Sequence, residues 1–68
     1  MKLTPIESST IVGYHYNKTN QSLIVEFKKT GRYQYDNVSE ESMKLIEANT
    51  SIGKAIVDFI KKKPFTKL

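Results

Sequence analysis

Sixty-eight residues make one domain and leave no room for a second core. Eleven Lys and Arg against seven Asp and Glu give a formal charge of +4, and 38% hydrophobic with 26% charged residues is a globular composition rather than a disordered one. Cysteine is absent, which excludes a disulfide framework and a thiolate metal site, and one histidine with scattered carboxylates does not close a structural zinc site.

No apolar run approaches the roughly 20 residues a bilayer-spanning helix needs. The opening MKLTPIESS lacks the apolar centre of a signal peptide. These features read as a cytoplasmic chain with no membrane partner and no cofactor. A domain of this size buries only about 60% of its unfolded surface, and its core rarely supplies more than about 3–5 kcal/mol. Good packing, a partner or self-association must then supplement it, and a homo-oligomer is one expectation.

In chain order, residues 1–7 form a short lead in which Pro5 suits an irregular stretch or an edge. Residues 9–16 (STIVGYHY) have the β-branched and aromatic composition of a strand. The polar run 17–22 (NKTNQS) reads as a hairpin loop. Residues 23–29 alternate, with Leu23, Val25 and Phe27 on one face and Ile24, Glu26 and Lys28 on the other. Thr30-Gly31 is a tight turn in which glycine can take a positive φ. Residues 32–38 alternate again, with Tyr33 and Tyr35 pointing one way and Arg32, Gln34 and Asp36 the other.

The period then changes from 2 to 3.6. Ser39 is placed to cap a helix, Glu40 and Glu41 suit its dipole, and the helix runs through Met43, Leu45, Ile46 and Ala48. Asn49-Thr50 interrupts it, and Ser51 can cap a second helix. There Ile52, Ala55, Ile56, Phe59 and Ile60 form an apolar stripe. Lys54–Asp58 and Asp58–Lys62 are spaced as i,i+4 pairs, and Pro64 helps stop the helix before a short tail, residues 65–68. The expected architecture is α+β: a three-stranded antiparallel β-meander followed by two short helices packed on one face (βββαα), with the other face open or covered by a partner.

The ordered set Ser8, Ser9, Ile11, Gly13, Tyr14, Leu23, Val25, Phe27, Gly31, Tyr33, Tyr35, Val38, Ser51, Gly53, Lys54 and Ile60 resembles the KTSC domain family, over about residues 6–61. That family is named for its occurrence at the C-terminus of some lysyl-tRNA synthetases and also occurs as small free-standing bacterial and phage proteins. The chain departs from its pattern at Ile56-Val57, where the family often has Phe-Asn, and at Ser39, where it often has Pro. The resemblance implies a fold, and RNA binding is the function usually suggested for the family.

The residues give little to an enzyme. Ser8, Ser9 and Ser51 lack a base other than His15, which sits between two tyrosines on a strand. Glu40 and Glu41 are adjacent and diverge around a helix, and the three glycines are isolated. The chain therefore reads as a non-catalytic binding module. Tyr14, Tyr16, Tyr33 and Tyr35 all fall on strands and can either stack unpaired bases or supply core area. Lys28, Lys29 and Arg32 flank a turn, and Lys61, Lys62, Lys63 and Lys67 close the chain. Both clusters can neutralise phosphates or simply solvate a turn and a helix end. Ser8, Ser9, Ser51 and Gly53 could together form a small anion or nucleotide pocket.

Two kinds of partner fit these residues. The first is RNA or another single-stranded nucleic acid, held by Lys28, Lys29, Arg32 and Lys61–Lys63 with exposed tyrosines for stacking. The second is a host protein or a small phosphorylated, nucleotide-like ligand, held through Ser51, Gly53, Lys54 and the tyrosines of a phage- or bacterium-encoded sequestering protein, as an oligomer.

Overall fold

The computed structural model describes residues 2–61 and 63–68. Chain order is β1 (Thr4–Pro5), β2 (Ile11–Asn17), β3 (Ser22–Phe27), β4 (Gly31–Tyr35), α1 (Glu40–Glu47), α2 (Ile52–Ile60) and β5 (Phe65–Lys67). The meander and the two helices stand where alternation and capping place them. The sheet, however, has five strands in the order β1-β2-β3-β4-β5, so three strands undercounts it. The lead contributes β1 against β2, and the supposed tail contributes β5 against β4, both antiparallel. Neither has enough residues to carry a pattern of its own. Each exists because the meander offers an unpaired edge whose N–H and C=O groups need partners. Pro5 is tolerated because β1 is an edge.

Register decides which side chains face the helices. Tyr14 and Tyr33 both pair with Val25, while Tyr16 and Tyr35 both pair with Leu23. All four tyrosines therefore share one face with Leu23 and Val25, whose side chains are fully buried. A bulge between Ile11 and Gly13 inserts one residue into β2. It turns both Ile11 and Tyr14 inward although they are three residues apart, and leaves Val12 exposed. At Gly13 a Cβ would come within 2.6 Å of the Thr4 carbonyl oxygen, so glycine lets β1 approach.

The helices cover this face. Ser39 Oγ accepts from the Ser42 N–H at 3.1 Å, which satisfies one of α1's free donors, and Glu40 and Glu41 lie in its first turn. α1 buries Met43 and Ile46; α2 buries Gly53, Ile56 and Ile60. With Ile11, Tyr14, Leu23, Val25, Tyr35 and Val38 these form one core. Each fully buried aliphatic side chain there contributes about 1.5–3 kcal/mol against exposure. Ser51 precedes α2 but makes no capping bond through its side chain; its own N–H is taken by Asn49 Oδ1 at 3.0 Å. The expected cap is thus absent, and the Ser51 hydroxyl is left for other work. Asp58 pairs with Lys61 at 3.5 Å rather than with Lys54, and the Asp58–Lys62 pair lies outside the described residues. No helix among the described residues is long and apolar enough to cross a membrane.

Candidate ligand cleft

The tyrosine platform does not form. Tyr14 and Tyr35 are each only 5% exposed, and Tyr16 and Tyr33 are half-buried. Their polar ends are occupied in two cases. Tyr14 donates to Glu47 Oε2 at 2.7 Å and so ties β2 to α1, while Tyr16 donates to the buried Val38 carbonyl at 2.6 Å. Burial, and then the hydrogen bond to Glu47 and its charge, push the Tyr14 hydroxyl from 10.0 up to about 12. Burial also raises Tyr16, with the Glu40 carboxylate adding to it, and raises Tyr35, with Tyr33 adding to it. Tyr33 sits between Phe27 and Phe65 in edge-to-face contacts, with centroids 5.5 and 5.2 Å away. Of the two roles open to the tyrosines, Tyr14 and Tyr35 take the core one and are too buried to stack a base, while Tyr16 and Tyr33 pack against the core and stay partly exposed.

The basic residues are dispersed as well. Arg32 Nε donates to Glu26 Oε1 at 2.7 Å across the opposite face of the sheet. Lys61 holds Asp58, Lys63 Nζ lies 4.9 Å from the centre of the Phe59 ring, and Lys67 Nζ lies 5.9 Å from that of Tyr33. Lys62 lies outside the described residues. Lys28 and Lys29 remain exposed in the β3–β4 turn. Among the described residues no group of His, Cys, Asp and Glu is placed to hold a metal ion.

The fold does bring the small polar set together. Packing of α2 against the segment before β2 seats Gly53 on Ser8: a Cβ at Gly53 would lie 3.0 Å from both Ser8 Cβ and Oγ. Ser8 Oγ in turn accepts from the N–H groups of Thr10, at 3.1 Å, and Ile11, at 3.2 Å, which fixes the loop. The result is a cleft of about 320 Å³ between residues 7–10 and the start of α2, with Ser51, Gly53 and Lys54 on its helical side. Its lining mixes polar residues with Val57; Lys54 brings a cation and Glu7 an opposing carboxylate.

A second hollow, of about 540 Å³, shares Ser9 and Thr10 as walls and is completed by Phe27, Lys29 and Thr30. The turn and the loop are tied by Lys28 N–H donating to the Thr10 carbonyl at 2.9 Å. Of the residues expected at a site, Ser51, Gly53 and Lys54 thus converge on one cleft and Lys29 lines the hollow beside it, whereas Arg32, Lys61, Lys63 and the tyrosines line neither. Thr10, Phe27 and Thr30 were not among the expected site residues. Phe27 shares the core face with Leu23 and Val25, and its place at the end of β3, beside the turn, makes it a wall of the hollow. A third hollow, between the helices and flanked by Leu45, Phe59 and Asp58, is largely apolar, with no basic residue in its walls among the described residues.

The KTSC domain family model matches residues 7–65, which is most of the chain and includes every wall of both polar hollows. The chain belongs to the KTSC domain family. The crystal structure of a KTSC domain protein from Yersinia pestis is similar to it throughout, with a TM-score of 0.87 and 29% identity over 98% of this chain and 96% of that one. No curated protein matches the chain at a significant level. Most of the family motif residues fall into two groups in this KTSC domain. Ile11, Tyr14, Leu23, Val25, Tyr35, Val38 and Ile60 build the core, and Ser8, Ser9, Ser51, Gly53 and Lys54 line the cleft.

Proposed function

We propose that this KTSC domain is a non-catalytic binding module for a phosphorylated ligand, with a single strand of RNA as the first candidate. The observation that carries the reading is that Lys54 and Lys29 line two hollows that share the Ser9–Thr10 segment. Two cations beside hydroxyl groups suit successive phosphates of a strand laid across that segment, with lysine acting as a point charge and the hydroxyls as donors. The Ser51 hydroxyl, free of capping, adds a further donor at the α2 N-terminus. Glu7 offsets part of the charge, so the affinity expected is modest and falls with salt.

The experiment is fluorescence anisotropy of a labelled, mixed-sequence single-stranded RNA at low and physiological salt, with wild type, Lys54→Gln and Lys29→Gln. Micromolar binding that survives physiological salt and weakens in both variants supports the reading. Binding confined to low salt, or unaffected by either change, overturns it and reduces the +4 charge to generic attraction.

The size of the first cleft favours a second reading. About 320 Å³ is at the lower end of small-molecule sites and matches a small phosphorylated compound better than a long polymer. A nucleotide that raises the melting temperature in proportion to the logarithm of its concentration, in the absence of RNA binding, would establish that reading instead.

A further inference from the structure

The hollow beside the cleft has a different composition from the cleft itself. It is lined by one aromatic residue, Phe27, with Ser9, Thr10, Thr30 and Lys29. Phe27 is half-buried, and its ring meets Tyr33 edge-to-face at 83° and 5.5 Å. That contact presets the ring, so presenting it to a ligand costs little conformational entropy. Tyr33 is itself held by Phe65 of β5 and lies near the Lys67 ammonium. The aromatic wall therefore rests on a layer that crosses three strands.

We infer that this hollow receives a nucleobase on Phe27 while the successive phosphates that flank that nucleotide lie at Lys29 and at Lys54. The inference rests on the phosphate reading of the neighbouring cleft and adds the chemical class of the group attached to those phosphates. A volume of about 540 Å³ is ample for one base with its sugar. An aromatic face stacks on any base, because every base has a π-face. Hydroxyls both donate and accept, so Ser9, Thr10 and Thr30 accommodate any base edge and select none. The site thus takes a base without reading its identity. This also gives the family's Leu-x-Val-x-Phe strand a division of labour: Leu23 and Val25 are fully buried, while Phe27 at the strand end is shared between the core and the hollow.

The test compares two single strands of about ten nucleotides, one ordinary RNA of mixed sequence and one abasic ribose-phosphate chain with the same number of phosphates, each titrated against the full chain. Binding of the ordinary strand about tenfold or more tighter than the abasic one is expected, with uridine-, adenosine-, cytidine- and guanosine-rich strands alike within a few-fold. Equal affinity for the ordinary and abasic strands overturns the base compartment and leaves the phosphate reading standing. No binding of either strand overturns both.

Phe27→Leu keeps apolar area and removes the ring. It should weaken the ordinary strand toward the abasic value and leave abasic binding unchanged. Since Phe27 also packs on the core, its melting curve is recorded alongside. If the variant does not fold, the strand comparison on the wild type still decides the point. A loss of abasic binding in a folded Phe27→Leu would mean that the ring only shapes the loop, and would overturn the inference.

Discussion

Seating α2 on the loop before β2 makes a sharp prediction at Gly53. In a helix interior Gly→Ala gains up to about 1 kcal/mol, and less near the helix start, where Gly53 lies. Against this, the new Cβ would stand 3.0 Å from Ser8 Cβ and Oγ, well inside ordinary carbon contact distance. Ser8 cannot swing aside without releasing the N–H groups of Thr10 and Ile11. Overpacking of this kind costs about 1–3 kcal/mol. The steric term exceeds the propensity term, so Gly53→Ala should destabilise by about 1 kcal/mol and lower the melting temperature by about 4–8 °C. Ser8→Gly removes both clashing atoms, at a loss of two hydrogen bonds worth about 1 kcal/mol each. In that background Gly53→Ala should become neutral or mildly stabilising. A double-mutant cycle by urea denaturation should thus give a coupling of about 1–3 kcal/mol. If Gly53→Ala stabilises the wild type, or changes both backgrounds equally, the seating of α2 on Ser8 is wrong.

The same network of contacts sets three other outcomes. Ser39→Ala removes a formed cap and should cost about 1 kcal/mol, whereas Ser51→Ala, at a position with no capping bond, should stay within about 0.5 kcal/mol, both read by denaturant melts. Tyr16→Phe strands the buried Val38 carbonyl and should cost about 1–3 kcal/mol, measured the same way. The Tyr14 hydroxyl is raised from 10.0 to about 12 in the fold, so the neutral form is the one the fold prefers. Its contribution is complete below pH 10 and is lost as pH rises toward about 12. Melting temperature should therefore fall over that window, less steeply in Tyr14→Phe, with a residual slope from Tyr16 and Tyr35. An unchanged slope in Tyr14→Phe would contradict the part-buried Tyr14–Glu47 bond.

The meander and helices were legible because each has its own local signal: alternation at Leu23–Phe27, the Gly31 turn with its φ of 96°, and Ser39 before Glu40-Glu41. β1 and β5 were not, because two or three residues carry no period and their pairing is supplied by β2 and β4. Parity along a strand puts Tyr14 with Tyr16 and Tyr33 with Tyr35. It does not say that both pairs look the same way, since that depends on register against β3 and on the bulge after Ile11. The lysines mislead for a related reason: neighbours in sequence, such as Lys61 and Lys63, take different partners once a helix end separates them. The cleft was half legible. Ser8, Ser9, Ser51, Gly53 and Lys54 stand out as small or polar positions in the pattern, but they meet only because α2 packs across the loop that begins β2.

The two edge strands differ in when they can form. β1 reaches β2 across a few residues, and β2, β3 and β4 are joined by short turns, whereas β5 reaches β4 only after the chain has built both helices. Closing that longer loop carries the largest entropy cost among the strand pairings and brings a small return, three residues. Refolding should therefore run from the meander outward, with β5 docking last. In the native protein the amide of Leu68, bonded to the Arg32 carbonyl at 2.9 Å, should exchange with solvent far sooner than those of the central strand β3. The wall that supports Tyr33, and through it Phe27, is thus made by the last segment to arrive and the first to leave.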